Sequence, residues 1–393
     1  MSNTSPLSII KTCRICDSSK FTPLLKFSPV PLAGSFCDTY QEAINSPKYP
    51  ITFVVNKESG LIQSMESISP EALFLKYKYD SSSIPALVKH FEGLATKFKI
   101  LFNGKTDINL LEIGSNSNPL LNQLPIQWNL YAVDPSDVAQ KAPRNRNIRF
   151  FNDFFGTDFV EKAGLIGKFD CITASNCLAH IPNLNDIFTG IRLALKDNGL
   201  FCIEVKDGES LMNLGDFSDM YLEHCVLWNK ESLIHNMSKF GFEYVEHSIL
   251  PFHGGLLRAL FRKKNNVNIV PLSDSYFKDI KNKSKKIQKF YDQLDENPIT
   301  KELAKNPNNI AFGASGKATM FLNSIKARFS FIVDESPLKI GKYIPGTGTP
   351  IVGPQMLKTP NDGKNILVTA WNYYDTIIDR YKNVGLFNWL KYF

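Results

Sequence analysis

Between residues 71 and 262, short apolar segments alternate with amphipathic ones, and this alternation constrains the fold more than any other feature of the sequence. Four apolar segments bounded by polar residues, Gly or Pro are typical of buried strands: INLLEIGS, WNLYAVDPS, FDCITAS and GLFCIEV. Between them, LNDIFTGIRLALKDNG has apolar residues at helical spacing, and we expect this helix to end at Gly199. Strands alternating with helices predict an α/β domain with a mostly parallel sheet covered on both faces.

The rest of the chain divides into a small N-terminal part, a connector and a second α/β part. Residues 1–70 show short strand and turn signals with several prolines, and residues 263–305 are charged and helical in pattern with no strand candidate. Residues 306–393 return to strands and helices in NIAFGAS, KATMFLNSIK, FSFIVDES and KNILVTAW. We therefore predict domains at 1–70, 71–262 and 306–393, the last a smaller Rossmann-like unit, with a helical connector at 263–305.

Composition narrows the function classes. The chain has 393 residues, of which 43% are hydrophobic and 21% charged, which is typical of a globular protein of two or three domains. No apolar run reaches the roughly 18 residues of a membrane span, and the N-terminus lacks the apolar segment of a secretory signal. We therefore expect a cytoplasmic protein with no membrane partner. The net charge of +7 is spread along the chain, which suits an anionic small molecule and argues against a nucleic-acid partner.

A glycine turn follows the first strand of the middle domain. The segment LLEIGSNSNPLL places Glu112 at a strand end and Gly114 just after it, and the next strand ends at Asp134. In nucleotide-binding α/β folds, the glycine lets the chain pass close to a ligand and the second acid accepts hydrogen bonds from ribose hydroxyls. Asn118 stands where a further glycine is expected, and Asn tolerates left-handed backbone. An ordinary strand-to-helix turn is the alternative, and the position of Asp134 favours a ligand site.

Three of the six histidines lie in loops that follow predicted strands, where open α/β sheets bind ligands. They are His180, His224 and His253. His224 is adjacent to Glu223 and close to Tyr221, and a histidine flanked by a carboxylate and a phenol can abstract a proton and have its charge balanced.

The loop of His253 continues with two glycines, Gly254 and Gly255, which let backbone approach a ligand closely. The other three histidines, His90, His235 and His247, lie on patterned helix or strand segments, and we interpret them as structural.

The cysteines do not form a disulfide framework, because seven cysteines in a long chain without a secretory signal are typical of reduced thiols. Cys13 and Cys16 have the C-x-x-C spacing of half a zinc knuckle. A closed structural zinc site needs four ligands, no second C-x-x-C follows, and only Cys37 offers a third thiol nearby. Two reduced thiols in a small packed lobe are favoured over a metal site.

Taken together, these segments resemble the nucleotide-sugar C-methyltransferases of bacterial deoxysugar pathways, S-adenosylmethionine enzymes that make branched 3-C-methyl sugars. The resemblance covers nearly the whole length. Its segments are CRICDSSKFTPLLKFSPVPLAGSF and YPITFVVNKESGLIQ in the N-terminal part, LLEIGSNSNPLL, NCLAHIPNLND, YLEH and HGGLLR in the middle, and FGASGKATMFLN, VDESPLKIGKYIPGTGTPI and AWNYYDTII near the C-terminus. The resemblance implies an α/β fold in which a Rossmann-like class I methyltransferase domain is flanked by a zinc-lobe-like N-terminal domain and a Rossmann-like C-terminal domain.

The resemblance also implies a mechanism. A base removes the proton next to the keto group of a nucleotide-linked 4-keto sugar, and the resulting enolate attacks the methyl group of S-adenosylmethionine. By the resemblance, His224 is the base, Tyr221 and Glu223 orient it or hold the sugar, and His180 lies near the reacting carbonyl. Tyr79, in YKYDSSS, matches an active-site tyrosine.

We expect the remaining contacts at two sets of residues. The cofactor contacts are Glu112, Gly114, Asn116, Asp134 and Asn176, and the substrate contacts are His253, Gly254 and Lys317, the last as a phosphate contact between the middle and C-terminal domains.

The chain departs from the family pattern in three places. Asn56 and Ser59 replace the second cysteine pair of the zinc lobe, and because an amide and a hydroxyl are poor zinc ligands we predict no tightly bound zinc. The cofactor turn has Ser117 and Asn118 in place of an Asp-Gly pair, which can reduce cofactor affinity or reshape the pocket. Leu222 stands where the family often has another histidine, which can mark a different substrate.

These departures leave two alternatives beside the sugar C-methyltransferase. One is a methyltransferase of the same fold that acts on oxygen or on another phosphorylated substrate. The other is a non-catalytic relative that binds a nucleotide sugar or a pathway partner.

Overall fold

The structure is a computed structural model that describes residues 7–75, 80–144, 148–358 and 363–393. The N-terminal lobe contains five short strands and two short helices: β1 (Leu7–Ile9), β2 (Phe21–Val30), α1 (Tyr40–Ile44), β3 (Tyr49–Asn56), β4 (Ile62–Ser64), β5 (Glu66–Ile68) and α2 (Pro70–Phe74). Strands β2, β3 and β4 pair antiparallel, and β1 pairs with β5 in a separate ribbon.

The middle of the chain forms a seven-stranded sheet with helices on both faces. Its elements are α3 (Pro85–Leu101), β6 (Asn109–Ile113), β7 (Asn129–Val133), α4 (Asp137–Lys141), β8 (Arg149–Phe151), α5 (Thr157–Lys162), β9 (Phe169–Ser175), α6 (Leu184–Ala194), β10 (Leu195–Lys206), α7 (Gly208–Leu214), β11 (Val226–Leu227), α8 (Lys230–Lys239), β12 (Phe242–Leu250) and β13 (Leu256–Lys263). The strand order is β12-β13-β10-β9-β6-β7-β8, and only the contacts of β13 with β10 and β12 are antiparallel. The chain leaves β6 toward β7 on one side and returns to β9 on the other, so a ligand crevice opens at the carboxyl ends of β6 and β9.

The C-terminal part begins with two helices and ends in a five-stranded parallel sheet. Its elements are α9 (Asp274–Asp292), α10 (Pro298–Lys305), β14 (Asn309–Phe312), α11 (Gly316–Leu322), β15 (Phe329–Val333), β16 (Ile351–Val352), β17 (Asn365–Val368), α12 (Tyr374–Tyr381) and β18 (Asn388–Leu390). The strand order β16-β15-β14-β17-β18 is that of a Rossmann-like sheet. The predicted α/β class is confirmed for both sheets.

The strands predicted from the four apolar segments of the middle domain are all present, but the predicted end of one helix is wrong. Helix α6 ends at Ala194, not at Gly199, and β10 begins at the next residue. Leu195 has extended backbone, is fully buried and pairs with Phe169 of β9. Apolar spacing continues across this junction, so the sequence pattern does not mark where the helix gives way to the sheet.

One apolar core joins the N-terminal lobe to the C-terminal domain through the segment at 211–227. Phe27 of β2, Phe217 and Leu222 of that segment, and Phe321 of α11 belong to the same cluster of buried side chains. Leu222, the residue that departs from the family pattern, is therefore a core residue and is only 3% exposed. The segment that carries His224 therefore packs against both the N-terminal lobe and the C-terminal domain.

Six short 3-10 turns complete the described structure, at Ser81–Ser83, Leu121–Gln123, Phe217–Asp219, Leu294–Glu296, Pro354–Lys358 and Trp371–Tyr373. Among the helices of the described ranges, none combines the length and the apolar character that crossing a bilayer requires.

Candidate active site

The turn after β6 has the backbone of a ligand-binding turn. Gly114 lies in the left-handed region at φ 71°, and a Cβ added there would meet the Cβ of Cys177 at 2.9 Å. Asn116 and Asn118 are also left-handed, at φ 47° and 61°, which confirms that Asn118 takes the conformation expected of a glycine. The departure from the usual glycine pattern therefore preserves the course of the turn.

Asp134, at the end of β7, holds this turn in place. One carboxylate oxygen accepts a hydrogen bond from the backbone N–H of Asn116 at 2.9 Å, and the other accepts one from that of Ser136 at 2.8 Å. The carboxylate oxygens keep further lone pairs beside the turn, because a carboxylate can accept about four hydrogen bonds.

Several buried polar atoms around the turn lack hydrogen-bond partners within the described residues. They are Glu112 Oε2, Ser115 Oγ and both amide atoms of Asn118. Burial, with the charge of Asp134 beside it, raises the pKa of Glu112 well above its usual value. Buried polar atoms without partners are costly unless a ligand completes them, so this crevice fits a polar cofactor. Asn176, left-handed at φ 58°, follows β9 at the same edge of the sheet.

His224 lies in a fixed orientation and in a defined tautomer. Its Nδ1 lies 2.8 Å from the backbone carbonyl of Asp219, and since a carbonyl only accepts, Nδ1 carries the hydrogen. In the neutral ring Nε2 is then the basic nitrogen, and the Tyr221 hydroxyl donates to it at 2.9 Å. The Tyr221 ring stacks on the imidazole with centroids 4.1 Å apart.

The carboxylate that faces His224 is Asp219, not the sequence neighbour Glu223. Asp219 Oδ1 lies 3.3 Å from His224 Nδ1, and its other oxygen lies 3.2 Å from Lys317 Nζ and 3.6 Å from Lys206 Nζ. Burial opposes the charge of this carboxylate, but Lys317, His224 and Lys206 together hold the pKa of Asp219 well below its usual range. Asp219 is therefore an anion that can balance a proton on His224.

Lys317 comes from the C-terminal domain and joins it to this cluster. Its ammonium group also lies 2.9 Å from Asp216, and its side chain is only 15% exposed. Burial works against the charge of Lys317, but Asp219 and Asp216 raise its pKa above the usual value. The ammonium predicted to contact phosphate is thus already paired with two carboxylates, and the phosphate contact stays a prediction.

Gly316, the residue before Lys317, lies against Tyr221. A Cβ added at Gly316 would meet Cζ of the Tyr221 ring at 2.8 Å. The C-terminal domain therefore forms one wall of the site, and a glycine leaves room for the tyrosine ring there.

His180 and Glu223 lie on the side of the site that faces the N-terminal lobe. His180 donates from Nδ1 to the backbone carbonyl of Glu223 at 2.6 Å, and its ring centroid is 4.9 Å from that of His224. Burial, helped by His224, lowers the pKa of His180 to about 3, so the ring is neutral and its Nε2 is an acceptor. Glu223 Oε1 accepts a hydrogen bond from the backbone N–H of Gly34 at 2.9 Å, and burial raises the pKa of Glu223.

The loop of His253 lies between the two Rossmann-like domains. His253 has left-handed backbone at φ 50°, and its Nδ1 lies 3.2 Å from the Tyr373 hydroxyl of the C-terminal domain. Lys206 Nζ donates to the carbonyls of His253 and Gly254 at 2.6 and 3.1 Å, which ties this loop to Asp219. Burial lowers the pKa of His253 to about 4, so this ring is also neutral.

Sequence reasoning missed several residues of the site. Asp216, Asp219 and Lys206 have no motif of their own, and only the fold brings them to His224. His90 was interpreted as structural, and its Nε2 lies 2.9 Å from the buried carboxylate of Glu204. Arg258 contacts the same carboxylate through Nε at 2.5 Å.

The two terminal nitrogens of the Arg258 guanidinium have no hydrogen-bond partner among the residues that the structure describes, although the residue is only 9% exposed. Arg258 follows the Gly-Gly pair in HGGLLR, and that position was the only signal for it. Tyr79, predicted for the active site, lies outside the described residues.

Three families match successive parts of the chain. A family described as a zinc-binding domain matches residues 13–74, a methyltransferase domain family matches residues 89–247, and a family described as the C-methyltransferase C-terminal domain matches residues 251–387. C-methyltransferase NovU from Streptomyces niveus is 24% identical over 392 residues, which span 95% of this chain and 92% of NovU.

Two solved structures each resemble less than half of this chain. The CurJ carbon methyltransferase is 16% identical, with 48% of this chain and 57% of that chain covered and a TM-score of 0.37. The PH0226 protein of Pyrococcus horikoshii is also 16% identical, with 47% of this chain and 95% of that chain covered and a TM-score of 0.39.

The fold and the matched domains define an S-adenosylmethionine-dependent methyltransferase. All three domains match in order and NovU aligns over nearly the full length, and together these matches support a bacterial C-methyltransferase family for this chain. This result favours an enzyme over the non-catalytic relative considered from the sequence.

Proposed function

We propose that the protein transfers a methyl group to carbon in a nucleotide-linked keto-deoxysugar, through an enolate, with His224 as the base. The observation that carries this proposal is the orientation of His224. Its Nδ1 is held by the backbone of Asp219, its Nε2 points at the Tyr221 hydroxyl, and a carboxylate balanced by two lysines lies beside it. This is the arrangement of a base that accepts one proton at Nε2.

The first step breaks a C–H bond next to the keto group of the sugar. The electron pair of this bond enters the enolate, and the proton reaches His224 Nε2 through the Tyr221 hydroxyl, which donates to that nitrogen in the structure. Asp219 stabilises the imidazolium that forms, because its carboxylate lies 3.3 Å from Nδ1. The buried position of Asp219 strengthens this interaction relative to one in water.

His180 and Glu223 complete the sugar site. A neutral His180 with its hydrogen on Nδ1 can accept a hydrogen bond from a sugar hydroxyl at Nε2, so we assign it to substrate positioning. Glu223 Oε2 is buried with no hydrogen-bond partner among the described residues, and it is the second candidate acceptor for a sugar hydroxyl.

The crevice after β6 and β9 is the proposed cofactor site. S-adenosylmethionine supplies an electrophilic methyl group on a positively charged sulfur when it is bound. Of this chain's residues, Gly114 would allow the close approach, Asp134 would accept hydrogen bonds from the ribose, and Glu112, Asn116 and Asn176 would complete the edge of the crevice.

Arg258 is the candidate contact for the phosphates of the nucleotide, beside the predicted contact of Lys317. Glu204 holds its Nε, and the two terminal nitrogens keep four N–H donors for an anion. Glu204 and Lys206 lie two residues apart on β10 and therefore share one face of the sheet, and Arg258 pairs with Glu204 across the strands. Lys206 on that face contacts Asp219, so we infer that the guanidinium lies on the same face as the Asp219–His224 cluster. Arg258→Met should raise KM for a nucleotide-linked substrate and leave the Kd for S-adenosylhomocysteine unchanged, and an unchanged KM would remove Arg258 from the substrate site.

The first experiment is calorimetry of the full chain with S-adenosylmethionine and S-adenosylhomocysteine, followed by a panel of nucleotide-linked 4-keto-6-deoxysugars in D₂O. We expect micromolar cofactor binding, exchange of the proton next to the keto group, and a C-methylated product. An O-methylated product with no such exchange would reject the proposed chemistry.

Variants at His224 test the base. His224→Gln should abolish proton exchange and turnover while the Kd for S-adenosylhomocysteine stays nearly unchanged. His247 is a matched control, because it also contacts a tyrosine hydroxyl, that of Tyr244 at 2.6 Å, but on the exposed strand β12. His247→Gln should leave both activities intact. Proton exchange that persists in His224→Gln would assign the base elsewhere.

A further inference from the structure

The N-terminal lobe matches a family described as a zinc-binding domain, but its donor atoms do not fit zinc. Four side chains converge between two turns of the lobe, one that carries Cys13 and Cys16 and one that carries Asn56 and Ser59. Cys13 Sγ lies 3.2 Å from Ser59 Oγ, and Cys16 Sγ lies 3.9 Å from Asn56 Oδ1. A structural zinc site takes four cysteine or histidine ligands, and here two of the four positions hold a hydroxyl and an amide. Across the described ranges, no cluster of three or more His, Cys, Asp or Glu side chains could hold a metal ion.

Asn56 makes the connections between the turns that a metal would make. Its Nδ2 donates to the backbone carbonyl of Ser18, in the turn that carries the two cysteines, at 3.2 Å. Its Oδ1 accepts from the backbone N–H groups of Glu58 and Ser59, both at 3.0 Å, and from the Ser59 hydroxyl at 3.3 Å. One side-chain amide, fully buried, therefore closes its own turn and ties it to the neighbouring one.

Ser59 extends this network to the other thiol. Its hydroxyl accepts a hydrogen bond from the backbone N–H of Leu61 at 3.2 Å and contacts Cys13 Sγ, and the side chain is fully buried. The first turn is closed independently, because the backbone N–H of Cys13 donates to the carbonyl of Ser18 at 2.9 Å. The polar groups that would point at a metal are thus used by one another.

The N-terminal lobe contacts the segment that carries His224. Strand β11, which follows His224 by two residues, pairs with β4 of the lobe through Val226 and Leu227. The turn of Asn56 is also docked on α8, since Asn236 Nδ2 donates to the Ser59 carbonyl at 2.8 Å. The hydrogen bonds that link the two turns therefore also stabilise the lobe against which the segment of His224 packs.

We propose that this lobe is a zinc knuckle converted to a metal-free form, in which the Asn56 amide and the Ser59 hydroxyl replace the metal as the link between the two turns. The lobe folds and supports the active site without zinc, and restoring cysteines at positions 56 and 59 re-creates a four-thiolate site. This inference does not depend on the identity of the substrate.

The test measures zinc in the full-length protein and in variants purified without chelators. We expect only substoichiometric zinc in the wild type and no change of its thermal midpoint on addition of EDTA. Asn56→Cys/Ser59→Cys should bind one zinc per chain, and its Co²⁺ form should show the absorption of a tetrahedral thiolate site. The single variants Asn56→Cys and Ser59→Cys are the matched controls and should bind zinc far more weakly than the double variant.

Two results would overturn the proposal. One is a wild-type protein that retains one zinc per chain and loses thermal stability with EDTA. The other is a folded double variant that binds no zinc, because the four positions would then not converge as the structure places them.

If the double variant does not fold, Asn56→Ala decides the question in a protein that keeps both thiols. The proposal requires that it lower the thermal midpoint, with or without added zinc. A midpoint that zinc restores, or that does not change, would contradict the role of the amide.

Discussion

Replacing Lys317 with methionine should destabilise the folded protein far more than removing an ordinary lysine. The ammonium group lies 2.9 Å from Asp216 and 3.2 Å from Asp219, and the carboxylate side chains are 1% and 6% exposed. Breaking a buried ion pair on one side costs about 3–5 kcal/mol, because the remaining charge stays buried without its partner. Asp219 keeps Lys206 at 3.6 Å, so we expect the lower end of the range, about 3 kcal/mol in the free energy of unfolding.

A matched control is available in the same domain. Lys326 lies 2.8 Å from Asp295, closer than Lys317 lies to Asp219, but its side chain is 86% exposed. Lys326→Met should therefore cost much less than Lys317→Met, since solvent screens an exposed pair. Both variants are compared with the wild type by urea unfolding at pH 7.5, followed by circular dichroism and tryptophan fluorescence.

The pH dependence gives a second check. The pKa of Asp219 is depressed in the folded protein, so its stabilising contribution is present above the usual carboxyl pKa of 3.8 and is lost as the pH falls through the folded value. Lys317→Met removes a cause of that depression, so the deficit of the variant should be largest at neutral pH and should shrink in acid. A Lys317→Met deficit no larger than that of Lys326→Met would refute the argument that burial sets the strength of this pair.

Three further predictions concern the cofactor turn and the buried histidines. Asp134→Ala should weaken S-adenosylhomocysteine binding in calorimetry by about 1.5–3 kcal/mol, the size of a hydrogen bond to a charged group, and unchanged binding would place the cofactor elsewhere. Gly114→Ala should abolish cofactor binding, because the added methyl group meets a side-chain carbon at 2.9 Å, whereas Gly104→Ala, also left-handed but with no atom within 4 Å, should leave binding unchanged. Loss of binding in both would indicate a general loss of the fold. His180 and His253 have folded pKa values of about 3 and about 4, below the unfolded value of 6.5, so both stay neutral and stability falls as the pH drops from 6.5 toward 4. Because both residues are partly exposed, we expect a loss of about 1 kcal/mol per residue at pH 5, and His253→Gln should flatten this dependence. An unchanged slope would contradict the assignment for that ring.

Local sequence patterns predicted the strands and turns of the molecule well, because these elements depend on residues that are near neighbours in the chain. The strand at FDCITAS is β9, and Asn118 takes the left-handed backbone expected at its position. The end of α6 was predicted five residues too late, because Leu195 belongs to the apolar pattern of a helix and of a buried strand alike. Only pairing with Phe169 of β9 decides between them.

The site itself was predicted in part. The sequence pointed to His224 and Tyr221, which contact one another, but it assigned the charge-balancing role to Glu223 because that residue is adjacent in the chain. The 3-10 turn at Phe217–Asp219 places Asp219 against the imidazole, whereas the carboxylate of Glu223 faces Gly34 of the lobe. Leu222 and Glu223 lie in a turn that the backbone N–H of His224 closes on the carbonyl of Tyr221. Adjacent side chains in such a turn point in different directions, so chain proximity did not identify the partner.

By itself, the sequence determined that this chain folds into two Rossmann-like sheets with a small N-terminal lobe. It also predicted that His180, His224 and His253 follow strands, but His224 follows the 3-10 turn at Phe217–Asp219 and precedes β11. Hydrophobic periodicity and turn residues act over a few positions, and they are sufficient for the sheets. Only the tertiary structure decided how the parts act on one another. Lys317 lies about a hundred positions after Asp219 in the sequence, and the Asn56 side chain donates to the backbone carbonyl of Ser18, which no local pattern predicts. Such contacts depend on how the domains pack. Packing excludes water, and the ion pairs and hydrogen bonds of a buried charge or amide are stronger where water is excluded.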